Sequence, residues 1–229
     1  GRNWGVIARR LSDTRLVLAP DMRNHGQSFW SEAHGYPDMA GDLAELIAAE
    51  GGMADVVGHS MGGKAAMVLA LQNPEMIRRL VIADIAPVAY THSQVQYIQA
   101  MRAVDLSRVE KRADALAQLA QTVPDPTLQS FFTQSLDVAG RKWRLNLDTL
   151  EREMPKILGF PEVTGEFDKP TLFLSGGQSD YVQPAHRPRI RELFPQARFA
   201  KLPRAGHWLH AEEPRDFEAS VRAFLNWSG

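Results

Sequence analysis

One pentapeptide constrains this chain more than anything else in it: Gly58-His59-Ser60-Met61-Gly62, set between the apolar run 54–58 and the helical stretch 61–72. It fits G-x-S-x-G, and that motif needs a strand before it and a helix after it. A serine on so sharp a turn is held in a strained backbone conformation, with its hydroxyl clear of the sheet. Side chains at Gly58 and Gly62 are expected to collide with the neighbouring elements. The backbone N–H of Met61, at the start of the following helix, is the expected oxyanion donor, reinforced by the helix dipole. The bland alternative is a Gly-rich strand-to-helix turn with an idle serine.

The rest of the pattern agrees with such a turn. Residues 1–11 predict a helix, with Asn3 as cap and Trp4, Ile7 and Leu11 at helical spacing. A strand is expected over 15–19, closed by Pro20 and Asp21, and a helix from Pro37 to the Gly51-Gly52 stop. Apolar runs at 54–58, 79–84, 170–176 and 197–202 read as buried strands, with helices at 61–72, 187–194 and 214–227. Strands that are apolar on both faces and alternate with helices predict an α/β fold with a mostly parallel sheet flanked by helices. Residues 93–158 carry helical periodicity and no convincing strand. The expected organisation is therefore a core of 1–84 and 170–229 interrupted by a helical insertion, 85–169, in the place of a lid.

A serine hydroxyl is a poor nucleophile without a base. Of seven histidines, His207 in Arg204-Ala205-Gly206-His207-Trp208 stands between the last strand and the last helix. A base late in the chain is what the elbow architecture requires, with His210 as fallback. His59 lies inside the elbow, where it packs, hydrogen-bonds or touches substrate. Two carboxylates compete to orient the base: Asp84, ending the run 79–84, and Asp180, just after the run 170–176. Either strand end presents a carboxylate suitably, and strand-end Asp residues are also common turn formers.

Composition excludes much else. Lys plus Arg number 26 against 27 for Asp plus Glu, so no electrostatic footprint for nucleic acid or an anionic membrane is visible. The absence of cysteine removes disulfides, thiolate metal sites and a cysteine nucleophile. No apolar stretch approaches a membrane span, no secretory-type segment is read, and the cytoplasm or an organelle matrix is the expected setting. No residue cluster has metal-ligand spacing, and no phosphate loop follows Gly62-Gly63-Lys64.

Four blocks carry a family resemblance: Asp21-Met22-Arg23-Asn24-His25-Gly26-Gln27-Ser28, Gly58-His59-Ser60-Met61-Gly62-Gly63-Lys64, Asp84-Ile85-Ala86-Pro87-Val88, and Ala205-Gly206-His207-Trp208-Leu209-His210-Ala211. Together they resemble a branch of small serine esterases of the α/β-hydrolase fold. That branch includes a bacterial esterase active on short esters and acyl thioesters, and a mitochondrial hydrolase of lipid esters. The resemblance extends into the insertion through Trp143-Arg144-Leu145-Asn146-Leu147-Asp148. It implies Asp84 as the acid and Ser179 as a helper orienting the histidine, with Asp180 still the rival. It further implies that relatives carry three strands and a His-Gly oxyanion loop ahead of the helix 1–11, the third strand lying between 15–19 and 55–57. An unpaired pair of central edges is not tolerable, so a further segment or a second chain is expected to complete the sheet.

The expected activity is hydrolysis of carboxylic esters or acyl thioesters without a cofactor, through Ser60, His207 and Asp84. Trp208, Tyr90 and His59 are candidate substrate contacts. The aromatic residues of the insertion (Tyr97, Phe131, Phe132, Trp143) either line an acyl pocket or pack its helices. Arg102, Arg108, Lys111 and Arg112 either meet an anionic head group or form a solvated face. Carbon–carbon bond hydrolysis, perhydrolysis and a non-catalytic ligand receptor are the rival readings.

Overall fold

Of the five apolar runs read as strands, four pair in one parallel sheet and one does not. The computed structural model describes residues 2–227. In chain order, a 3-10 turn (Arg2–Trp4) enters α1 (Gly5–Leu11), and α2 (Tyr36–Ala49), β1 (Ala54–His59), α3 (Met61–Gln72) and β2 (Ile77–Ala83) follow. Next come α4 (Val95–Arg102), α5 (Arg112–Leu119), α6 (Pro126–Thr133), β3 (Leu136–Asp137), β4 (Lys142–Trp143), α7 (Leu147–Arg152) and α8 (Met154–Leu158). The chain ends through β5 (Thr171–Gly176), α9 (Arg187–Leu193), β6 (Ala197–Leu202), α10 (Leu209–Glu212) and α11 (Pro214–Asn226). By internal contacts it forms two units, one of residues 4–19, 35–89 and 159–227, the other of 2–3, 20–34 and 90–158.

The first unit holds the sheet, in the order β1-β2-β5-β6, all parallel. In β2, Leu80, Val81, Ile82 and Ala83 are each fully buried, so both faces of this strand are covered. On one face Val81, Ala83, Leu172 and Leu174 pack with Ile7 and Leu11 of α1 and with Phe217, Val221, Phe224 and Leu225 of α11. The spacing 217, 221, 224, 225 is one helical stripe, and each such side chain contributes about 1.5–3 kcal/mol on burial. α3 is buried continuously from Gly63 to Leu71, which anchors the turn that precedes it.

Residues 15–19 correct an expectation. They form no strand; Leu16 and Leu18 are 80% and 47% exposed. A strand exists only through its hydrogen-bonded neighbour, and here Arg15 is tied instead by its guanidinium to Asp55, at 3.3 Å. β1 has a ladder on its β2 side, and among the described residues none on the other. Nor is Asn3 the helix cap: the residue before α1 is Trp4, with no side-chain capping bond.

The second unit is mainly helical, around Ile98, Met101, Leu119, Phe132, Trp143 and Leu150, against which Tyr97 and Phe131 also pack. Trp143 Nε1–H donates to the Met101 carbonyl at 2.9 Å. The strand-free reading of 93–158 is corrected by the hairpin β3–β4, whose two-residue strands are too short for a period of two to register. Arg102 pairs with Asp148 and Glu151, a solvated ionic face. The loop 20–34 belongs to this unit: His25 bridges Leu145, and Asn24 Oδ1 accepts from Ser31 N–H (2.8 Å) and Asn146 Nδ2 (3.0 Å). Among the described residues no helix is long and apolar enough to cross a membrane.

Candidate active site

Ser60 is the single residue between the end of β1 and the start of α3, and its backbone (φ 52°, ψ −121°) is one that side-chain-bearing residues rarely adopt. Such a conformation costs about 1–3 kcal/mol and persists only where the surroundings impose it. Those surroundings are tight. A Cβ on Gly58 would come within 2.5 Å of the Gly62 carbonyl oxygen, and one on Gly63 within 2.7 Å of Ile85 Cγ2. At Gly62, by contrast, a Cβ would meet nothing within 4 Å. The steric requirement therefore falls on Gly58 and Gly63, not on Gly62 as the motif alone suggested.

Asp84 follows β2 directly, also with positive φ (50°), and is fully buried. Its Oδ1 accepts from the Gly176 N–H at 2.9 Å, and its Oδ2 accepts from the Ser179 hydroxyl. The same Oδ2 lies 2.8 Å from His207 Nδ1. His207 Nε2 lies 3.2 Å from Ser60 Oγ. With the Nδ1 proton donated to the carboxylate, the Nε2 lone pair faces the serine hydroxyl, the arrangement a general base requires. Asp180, the rival acid, is exposed, and its backbone carbonyl accepts from Gln183 Nε2 at 3.1 Å; no bond joins its carboxylate to His207.

Two side chains that sequence reading did not single out complete the setting of His207. Tyr181 stacks on the His207 imidazole, centroids 3.9 Å apart and planes 18° from parallel. Glu212 accepts the N–H groups on either side of His207, Gly206 at 2.6 Å and Trp208 at 3.1 Å. The legible signals were an aromatic two residues after Ser179 and an acid closing the short helix beyond His207. Lys64, buried four residues beyond the serine, donates to the Gly159 carbonyl, and burial brings its pKa down to about 7.

Three imidazoles crowd together here. His59 stands 4.7 Å from His207 and 4.5 Å from His210, ring centre to ring centre, and its Nε2–H donates to the His207 carbonyl at 2.7 Å. Burial, then the neighbouring His210 and His207, hold its pKa well below the usual imidazole range. His210 is 2% exposed, stacked on Trp4 at 4.8 Å, with no hydrogen bond to either ring nitrogen. Burial, then His207, lowers its pKa to about 4. The half-buried Trp208 ring lies 5.5 Å from His207. Met61 opens α3 next to the serine. Tyr90 belongs to the helical unit, where its N–H donates to the Leu158 carbonyl.

A family profile described as the α/β hydrolase fold matches residues 1–214. The chain belongs to that family. The three residues in contact in this α/β hydrolase follow one another in the chain as Ser60, Asp84, His207, which matches the serine–acid–histidine order of the fold. It is similar to the sn-1-specific diacylglycerol lipase ABHD11 of Mus musculus, 46% identical over 97% of this chain and 76% of that protein. It is similar also to the esterase YbfF of Escherichia coli, 38% identical over 98% of this chain and 88% of that one. Among solved structures, a marine microorganism esterase superposes with a TM-score of 0.92 at 34% identity, covering 98% of this α/β hydrolase and 90% of its own chain.

Proposed function

We propose that this α/β hydrolase is a serine hydrolase that cleaves carboxylic esters or acyl thioesters through an acyl-enzyme. The observation that carries the reading is the continuous contact from Ser60 Oγ through His207 to Asp84 Oδ2, at 3.2 and 2.8 Å. The names of its relatives, a diacylglycerol lipase and two esterases, support the ester class.

In this reading Ser60 Oγ attacks the acyl carbon while His207 Nε2 takes its proton. The buried Asp84 carboxylate stabilises the resulting imidazolium. The tetrahedral oxyanion is held by the Met61 N–H at the start of α3. His207 then returns the proton to the departing alkoxide or thiolate. Water, deprotonated by the same histidine, attacks the acyl-enzyme, and the acid leaves as Ser60 recovers its proton. Ser179 fixes the Asp84 carboxylate, and Trp208 is a substrate contact. The insertion, by its place in the chain between β2 and β5, is the lid.

The reading includes a further strand beside β1, from a segment outside these residues or from another chain, that brings the second oxyanion N–H. The open ladder edge of β1 and the exposed Leu16 and Leu18 support it. Slow exchange of every β1 amide in the working protein is the expected sign.

The deciding experiment is hydrolysis of p-nitrophenyl acetate and butyrate, with labelling by a fluorophosphonate. Both are expected, and both are expected to vanish in Ser60→Ala. An intact protein that neither turns over esters nor takes the label is not a serine esterase. A panel containing vinylogous diketones and peroxide separates carbon–carbon hydrolysis and perhydrolysis from ester cleavage.

A further inference from the structure

We infer that His59 and Glu212 are positioning residues that clamp the backbone of His207, His59 through its carbonyl and Glu212 through the N–H groups on either side. The inference rests on the reading of His207 as the base and adds how that base is kept in line.

A general base must stay within hydrogen-bond reach of the nucleophile, and a displacement of about 1 Å costs on the order of 10²-fold in rate. His207 sits on a loop between β6 and α10, and loops do not supply that precision unaided. Its side chain is held by Asp84, but the peptide that carries the side chain needs its own attachments. Glu212 supplies two: its carboxylate accepts from Gly206 N–H at 2.6 Å and from Trp208 N–H at 3.1 Å. His59 supplies the third, donating Nε2–H to the His207 carbonyl at 2.7 Å.

The identity of the third attachment matters. His59 is the residue immediately before the nucleophile, at the end of β1, so one rigid strand end carries Ser60 and grips the loop of its base. Packing against Trp208 (5.2 Å) and His210 (4.5 Å) fixes the ring. An imidazole is a donor without charge. A lysine or arginine there would also donate to the carbonyl, yet would set a full positive charge beside the ring that must become an imidazolium. A neutral donor holds the base without opposing its protonation.

The test compares His59→Phe, His59→Gln and Glu212→Ala in the purified protein, with kcat, KM and the fluorophosphonate labelling rate as readouts. His59→Phe keeps an aromatic ring and loses the donor; His59→Gln restores a neutral donor. Both His59→Phe and Glu212→Ala are expected to lower kcat and labelling by ~10- to 10²-fold with KM within about twofold. His59→Gln is expected to recover most of the loss. A glutamine variant as slow as the phenylalanine one, or wild-type kcat in either loss variant, overturns the clamp. Glu212 is exposed, so if His59→Phe fails to fold, Glu212→Ala decides the matter alone. Ser60→Ala and His207→Ala run alongside: if these retain turnover, the hydrolase reading falls and takes the clamp with it. If they abolish turnover while the clamp variants keep wild-type kcat, the clamp alone falls.

Discussion

Asp84 and Ser179 meet at one carboxylate oxygen: the Ser179 hydroxyl donates to Asp84 Oδ2, the same atom that lies 2.8 Å from His207 Nδ1. The other oxygen, Oδ1, is occupied by the Gly176 N–H. A buried carboxylate is tolerable only when its lone pairs are taken, and here three donors take them. The carboxylate is thereby fixed in orientation as well as in charge.

Exchanging Asp84 for asparagine removes the charge and keeps the shape. Asparagine tolerates the positive φ found at this position, so the variant probes chemistry rather than backbone strain. Asp84→Asn is expected to lower kcat by about 10³- to 10⁴-fold, and Asp180→Asn by less than about twofold. Steady-state kinetics on p-nitrophenyl butyrate measure both, and the opposite ranking would make Asp180 the acid.

Ser179→Ala deletes one of the three donors and leaves Asp84 paired with His207. A hydrogen bond to a charged group is worth about 1.5–3 kcal/mol, so kcat is expected to drop by about 10- to 10²-fold, less than for Asp84→Asn. Equal losses in the two variants would mean that the serine does more than support the carboxylate.

The two glycines of the motif are separable by stability. Gly58→Ala places a Cβ 2.5 Å from the Gly62 carbonyl, against backbone that cannot yield cheaply. A loss of about 1–3 kcal/mol or more is expected from such a clash. Gly62→Ala enters open space and is expected to stay within about 1 kcal/mol of the parent. Urea midpoints give both numbers.

Stability is expected to fall on acidification through His210. Its pKa is about 4 in the fold against an ordinary 6.5, so between those values the unfolded chain binds the proton and the folded one does not. Stability therefore rises with pH across that window. Its contribution is complete above pH 6.5 and is lost progressively down to pH 4, by roughly 2–3 kcal/mol at pH 4.5. His210→Phe, which keeps the stack on Trp4, should flatten this part of the curve. An unchanged slope between pH 7 and 4.5 would place the acid sensitivity elsewhere, His59 and His25 being the other imidazoles whose pKa burial lowers.

The elbow, the parallel sheet and the late histidine are legible in the chain because each is written locally. An apolar run, a serine with a glycine two positions away on each side and a run of helical spacing need only their neighbours to be recognised. Residues 15–19 read equally well as a strand, and the local signal fails there because pairing is a property of two segments. The hairpin β3–β4 escapes for the opposite reason, since two residues per strand carry no period.

Sequence alone determined the α/β class and the place of the candidate nucleophile at Ser60, and it ranked His207 ahead of His210 as the candidate base. Between Asp84 and Asp180 the residues themselves were silent: both follow a strand, and both have the right chemistry. Only the tertiary structure decided which carboxylate meets the imidazole. That choice turns on how β2, β5 and the loop after β6 converge, bringing together residues 123 positions apart. Tyr181, Glu212 and His59 are set in the same way, because a stack or a hydrogen bond is fixed by distance in space, on which separation along the chain is silent.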